Sequence, residues 1–173
     1  MLPKLTLVLG GAASGKSSWA EKLLLSSHLD PVYIATSRVF DGEMKTKVMQ
    51  HRSRRNDEWL TIEADLDLSE PLAELAATQA VLIDCATMWL TNHMMDDTDL
   101  EQEKDRLLKS IDNCAAPIVI VSNEVGHGIV PENALARGFR EAQGRLNIAL
   151  AQQSQTTVLV TAGIPQVLKG PLP

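Results

Sequence analysis

Residues 5–17 read LTLVLGGAASGKS, and this stretch decides the fold. Leu5-Thr6-Leu7-Val8-Leu9 is a short apolar, β-favouring run ending at glycine, the pattern of a buried strand. Gly10-Gly11-Ala12-Ala13-Ser14-Gly15-Lys16-Ser17 then fits G-x-x-x-x-G-K-[ST]. Ser18 to Leu25 reads as a helix, with Ala20, Leu23 and Leu24 available for one face. Strand, glycine loop and helix therefore come in the order a phosphate cradle needs. Gly10, Gly11 and Gly15 let the backbone turn tightly and converge several N–H groups, while the helix N-terminus favours an anion. Lys16 is placed to reach β- and γ-phosphate oxygens, and the Ser17 hydroxyl is a natural magnesium ligand. The expectation is a protein that binds a nucleoside triphosphate.

Working outward, strands and helices alternate. Strands are expected over 32–36, 80–84, 117–122 and 156–161, and a short extended piece over 59–63. Helices are expected from Ser69 to about Ala77, over 86–95, from Asp99 to about Asn113, and over 134–153. Gly163-Ile164-Pro165 reads as a turn into a short tail. The pattern predicts one α/β domain over residues 1–173, P-loop NTPase-like, with a mostly parallel sheet flanked by helices.

Composition limits the partners. A net charge of −6 and 3% aromatics argue against a nucleic-acid binder or a base-stacking platform. No run is long and apolar enough for a membrane span, and no signal peptide is visible, so the expected compartment is the cytoplasm. Cys85 and Cys114 alone make neither a disulfide framework nor a metal site.

Several polar residues carry both a plain and a sharper reading. Thr36 and Ser37 end the second strand, where ligands gather in open α/β sheets, or simply terminate it. Asp41 to Asn56 reads as a polar helix with Met44, Val48 and His51 on one face. Its end carries Arg52, Ser53, Arg54 and Arg55, either a solvated basic face or a phosphate-facing patch around the histidine. Ala80-Val81-Leu82-Ile83-Asp84 is an apolar strand ending in a carboxylate, the form of the second nucleotide motif that helps hold magnesium. His93 reads as a satisfied core or surface residue, and His127 as an exposed loop histidine. Asp96, Asp97 and Asp99 read as a turn and helix start rather than a metal site. Glu124 lies in a loop leaving a central strand, a position facing a ligand crevice.

The chain resembles the bifunctional adenosylcobinamide kinase/adenosylcobinamide-phosphate guanylyltransferases of cobalamin biosynthesis. The resemblance runs from Leu7 to Lys169 and rests on seven motifs. They are GGAASGKSSWAE from Gly10, YIAT from Tyr33, H-x-x-x-R-x-x-x-W-x-T-x-E from His51, DCATMWLTN from Asp84, NEVGHGIVPEN from Asn123, R-x-F-R-E-x-x-G-x-x-N from Arg137 and AGIPQVLK from Ala162. It implies phosphorylation of adenosylcobinamide by ATP or GTP, then transfer of GMP from GTP onto the resulting phosphate. The family carries that GMP on a histidine, and His51 matches the position. Arg52, Arg54 and Arg55 would then stabilise phosphate charge. Glu63 and Asp84 would lie near the guanine nucleotide, Thr36 and Ser37 would line it, and a homo-oligomer, a trimer, is implied. Ala13 departs from the pattern, standing where the family commonly carries an arginine. Two rivals stay open: a simple P-loop small-molecule kinase without a covalent step, and a nucleotide-gated binding protein.

Overall fold

A computed structural model describes residues 2–38 and 58–171. The expected helix over 41–56, and with it His51, Arg52, Ser53, Arg54 and Arg55, lies outside the described residues. In chain order the elements are β1 (Leu5–Gly10), α1 (Lys16–Leu25), β2 (Asp30–Ala35), β3 (Leu60–Glu63), α2 (Ser69–Ala73) and β4 (Gln79–Asp84). They continue with α3 (Ala86–Met95), α4 (Leu100–Asn113), β5 (Ile118–Asn123), α5 (Ala134–Gln153), β6 (Thr156–Thr161) and β7 (Ile164–Lys169).

Among the described residues the strands form one seven-stranded sheet in the order β3-β2-β4-β5-β1-β6-β7. Every pairing is parallel except β6 with β7. A parallel sheet must be covered on both faces, so its central strands are apolar throughout rather than alternating. β1 is buried along its whole length, and β5 at every residue but the last. Leu5, Leu7 and Leu9 join Trp89, Leu107, Ile111, Leu146 and Leu150 under α3, α4 and α5. Val8, Val119, Val121 and Val158 face the other way and pack on Ala20, Leu23 and Leu24 of α1. Each fully buried Leu or Val contributes about 1.5–3 kcal/mol, so both layers are needed to hold the sheet.

Two elements differ from expectation for local reasons. α2 ends at Ala73 rather than about Ala77. Gln79 takes over the chain there: its side chain accepts from the Ala76 N–H at 2.8 Å, and its own N–H donates to the Ala76 carbonyl at 3.0 Å. That turn delivers the chain into β4. The tail is the edge strand β7, not a loose end. Ala162 and Gly163 both have positive φ, 52° and 78°, and join Thr161 to its partner Ile164 as a two-residue hairpin. Pro165 is tolerated because β7 is at the edge. Lys169 then donates to the Ala151 and Gln152 carbonyls at 2.8 and 3.0 Å, capping the end of α5.

The helix start read from aspartate is observed, and an asparagine caps α5 in the same way. Asp99 accepts from the Glu101 and Gln102 N–H groups, and Asn133 from that of Leu135. His93 is buried, with Nδ1 2.9 Å from the Thr98 hydroxyl, and His127 is exposed.

Candidate active site at the carboxyl edge of the sheet

Because β1, β4 and β5 are parallel neighbours, their carboxyl ends open on one edge. Gly10 of β1 is in register with Asn123 of β5, and Asp84 of β4 with Val121. Asp84 is two strand spacings from Gly10, roughly 10 Å across the sheet.

The loop from Gly10 to Ser17 is held by backbone bonds from two directions. The Gly10 carbonyl accepts from the Glu124 N–H at 3.1 Å, and the Ser14 carbonyl from the Gly163 N–H at 2.7 Å. The loop is thus tied both to the exit of β5 and to the β6–β7 turn. A methyl at Gly10 would sit 2.7 Å from the Val160 carbonyl oxygen. Gly15 has φ +90°, and a methyl there would lie 3.0 Å from the Gly163 Cα. Gly11 behaves otherwise, since a methyl there meets nothing within 4 Å, and Ala13, with φ 55°, is left-handed as Gly15 is. Gly11, Ala12 and Ala13 form an exposed rim, while Ser14 keeps a buried hydroxyl oxygen without a hydrogen-bond partner among the described residues.

Lys16 opens α1 and folds its ammonium back onto the Gly11 carbonyl at 3.1 Å. Burial pulls its pKa below the ordinary lysine value, opposed by electrostatic interactions with Cys85 and Asp84. The Cys85 thiol is pushed up to about 11, by burial first and then by the Asp84 carboxylate. A lysine kept in such surroundings gains when phosphate oxygens arrive as partners. Ser17, partly buried, follows in the first turn of the helix.

Asp84 accepts from the Tyr33 hydroxyl at 3.1 Å, and Tyr33 itself packs edge-on against Trp59. Thr36 is fully buried, its hydroxyl donating to the Cys85 carbonyl and accepting from the Cys85 N–H, both at 2.7 Å. Ser37 follows it, partly buried. Glu63 is exposed at the end of β3, in register with Ala35, on the far side of β2 from Asp84. Four strand spacings, roughly 19 Å, separate it from the loop. The edge therefore gathers Gly10 to Ser17 and Asp84 at its centre, and Thr36, Ser37 and Glu63 along one flank.

Other residues of this edge were not singled out by sequence reasoning. Asn92 is fully buried and donates to the Thr36 and Asp65 carbonyls at 2.7 and 2.9 Å, fixing the exits of β2 and β3 together. Arg38 forms a bidentate pair with Asp96, at 2.8 and 2.7 Å, and a further pair with Asp65. Arg137 and Arg140 hold the loop after β5, donating to the carbonyls of Pro131 at 2.9 Å and Ile129 at 3.1 Å. Glu124, which the sequence had placed facing a ligand crevice, turns its carboxylate onto the Gly126 N–H of the same loop. The signal for Asn92 was one amide set in the apolar run ATMWLTNHMM. Its partners lie 27 and 56 residues away, so nothing local names them.

The donor set has a chemical bias. Ser17 and Asp84 offer hard oxygen, and no group of three His, Cys, Asp or Glu suited to a metal is found among the described residues. Magnesium fits such an edge, because it keeps waters and takes phosphate oxygens alongside one or two protein ligands.

Comparison with known proteins agrees with this geometry. Residues 6–168 match the family described as cobinamide kinase / cobinamide phosphate guanyltransferase. The bifunctional adenosylcobalamin biosynthesis protein CobP of Pseudomonas aeruginosa is 41% identical, over 95% of this chain and 96% of its own. The bifunctional adenosylcobalamin biosynthesis protein CobU of Escherichia coli is 40% identical, over 94% and 98%. Among solved structures the RadB recombinase superposes with a TM-score of 0.51 at 17% identity, over 91% of this chain and 74% of that one, a likeness of fold alone.

Proposed function

The chain belongs to the cobinamide kinase / cobinamide phosphate guanyltransferase family, and we propose that it performs both reactions at one nucleotide site, with GMP carried on His51. The carrying observation is the tied loop of Gly10 to Ser17 in a chain matched to the family over residues 6–168.

In the kinase step the loop N–H groups and Lys16 hold the β- and γ-phosphates of ATP or GTP. Ser17 and Asp84 are the residues that would hold Mg2+, which neutralises phosphate charge when bound. The aminopropanol hydroxyl of adenosylcobinamide takes the γ-phosphoryl group. In the second step the imidazole of His51 attacks the α-phosphorus of GTP and pyrophosphate leaves. The cobinamide phosphate oxygen then attacks the same phosphorus, the P–N bond breaks, and adenosylcobinamide-GDP is formed. Imidazole suits this work, being substantially neutral near pH 7 and a nucleophile that needs no strong base. Arg52, Ser53, Arg54 and Arg55 would bind the phosphates beside it, and Thr36, Ser37 and Glu63 the nucleoside end. The reading includes a cytoplasmic homo-oligomer, a trimer by family resemblance.

The test is incubation with α-labelled GTP and magnesium, followed by denaturation, for wild type and His51→Ala. Acid-labile, base-stable label on wild type that disappears in the variant is the expected result. Folded, GTP-binding wild type without label would leave a simple kinase.

A further inference from the structure

We propose that the side-chain amide of Asn123 contacts the transferred phosphoryl group and the acceptor hydroxyl in the kinase step. The inference rests on the kinase reading above. Three observations carry it.

The first is position. Asn123 ends β5, which lies between β1 and β4, and it is the register partner of Gly10, the first residue of the phosphate loop. Two residues earlier on the same strand, Val121 is the partner of Asp84. Asn123 therefore stands between the loop and the carboxylate, at the edge where the two converge.

The second is the way its backbone is held. Its N–H donates to the Thr87 hydroxyl of α3 at 2.8 Å, and its carbonyl accepts from the Asn147 amide of α5 at 3.0 Å. Asn147 is itself locked by a buried network. Its Oδ1 accepts from the Ser122 hydroxyl at 2.6 Å and the Gln143 amide at 3.0 Å, and Gln143 also donates to Ser122 at 2.9 Å. Ser122 and Gln143 are fully buried and Asn147 nearly so. Buried polar groups are costly unless paired, and the paired groups of this network rigidify what they touch, while the Gln143 Oε1 has no partner among the described residues. Here two helices spend such groups on fixing one strand end.

The third is what the fixed residue leaves over. The Asn123 side-chain oxygen is buried and has no hydrogen-bond partner among the described residues. A buried amide oxygen without a partner destabilises the protein that carries it, and such groups call for a ligand. Asn123 thus combines an enforced position with an unmet bonding requirement beside a phosphate cradle.

The chemistry matches. In phosphoryl transfer the acceptor oxygen bonds the γ-phosphorus as the bond to the β,γ-bridging oxygen breaks. The nucleoside diphosphate leaves with that electron pair, and the hydroxyl proton passes to a transferred phosphoryl oxygen or to solvent. A loose transition state asks for positioning more than for a strong base. A neutral amide accepts from the hydroxyl and donates to a phosphoryl oxygen without repelling phosphate, and takes no proton itself.

The experiment compares wild type, Asn123→Ala, Asn123→Asp and Thr87→Val. It reads kcat and KM for adenosylcobinamide phosphorylation, GTP affinity and thermal unfolding. Asn123→Ala should lose about 100-fold in kcat, with GTP affinity and acceptor KM nearly unchanged. Thr87→Val, which frees the Asn123 N–H, should show a smaller loss of the same kind. A kcat for Asn123→Ala within about three-fold of wild type, or a loss lying wholly in GTP affinity, overturns the proposal. Asn123→Asp keeps the shape and should fold even where Ala does not; unfolding of both variants overturns it as well, by showing the side chain to be structural. If wild type fails to phosphorylate adenosylcobinamide, the kinase reading falls separately. The ratio of GTP hydrolysis with water as acceptor then decides the role of Asn123, by the same thresholds.

Discussion

The two flanks of the site are built by different means. On the β1–β6 side the backbone does the work: the Gly10 carbonyl accepts from the Glu124 N–H, the Ser14 carbonyl accepts from the Gly163 N–H, and two glycines make room for close approach. On the β2–β3 side the strand exits are joined by side chains, through Thr36 to Cys85, Asn92 to Thr36 and Asp65, and Arg38 to Asp65 and Asp96. Backbone construction depends on φ and on the absence of a Cβ, so it is indifferent to pH and intolerant of bulk. Side-chain construction depends on identity and charge, so single substitutions remove it, and acid loosens its ionic part. Phosphate is the same in every nucleotide and suits the fixed flank. A larger and more varied ligand portion suits the flank that side chains can tune.

The largest expected effect breaks the backbone flank. In Gly10→Ala the new methyl would approach the Val160 carbonyl to 2.7 Å, and a main-chain oxygen cannot swing aside. A loss of about 1–3 kcal/mol in stability is expected from such overpacking. Binding of inorganic tripolyphosphate, read by calorimetry, should weaken at least about ten-fold, the equivalent of 1.4 kcal/mol. Gly11→Ala is the internal control, since its methyl meets nothing within 4 Å, and it should melt and bind like wild type. Equal effects from the two would mean that loop glycines matter for flexibility rather than space.

A smaller effect on phosphate binding, on the other flank, is expected of Asn92→Ala. It removes two hydrogen bonds and leaves the Thr36 and Asp65 carbonyls without those partners. About 1–3 kcal/mol of stability should be lost. Tripolyphosphate binding should stay near wild type while GTP binding weakens. Parallel loss of both ligands would erase the distinction between the flanks.

The same contrast explains what could be read in advance. The loop was legible because its requirements are local: a strand, spaced glycines, a lysine and a helix lie within 21 residues, 5–25. The strand and helix alternation was legible for the same reason, since period and punctuation are local signals. β7 escaped because its turn, Ala162-Gly163, lacks the usual Asn-Gly signal and Pro165 argues against a strand. The early end of α2 escaped because it depends on one side chain, Gln79, reaching back to Ala76. The bracket around Asn123 joins residues 24 and 36 positions apart, and no periodicity announces which buried amide meets which carbonyl. His51 was set apart from an ordinary surface histidine by family resemblance, not by spacing.

The smallest expected effect sharpens the comparison through pH. Hydrogen bonds from Arg38 hold the Asp65 and Asp96 carboxyls below the ordinary value of 3.8, and those carboxylates hold the Arg38 guanidinium above its own. Depressed carboxylate pKa values contribute stability that is present above the unfolded value and lost as pH falls through the folded ones. The melting temperature of wild type should therefore exceed that of Arg38→Met at pH 7, and the gap should close as pH is taken below 3.8. All three side chains are partly exposed, so the gap should be modest and should shrink in high salt. Asp67, held low by the Ser69 N–H rather than by Arg38, titrates alike in both proteins and cancels from the difference. If the gap instead stays constant through the acid range, Arg38 supports its flank by packing its long stem, and the contrast between a charged flank and a backbone flank must be redrawn as one of shape.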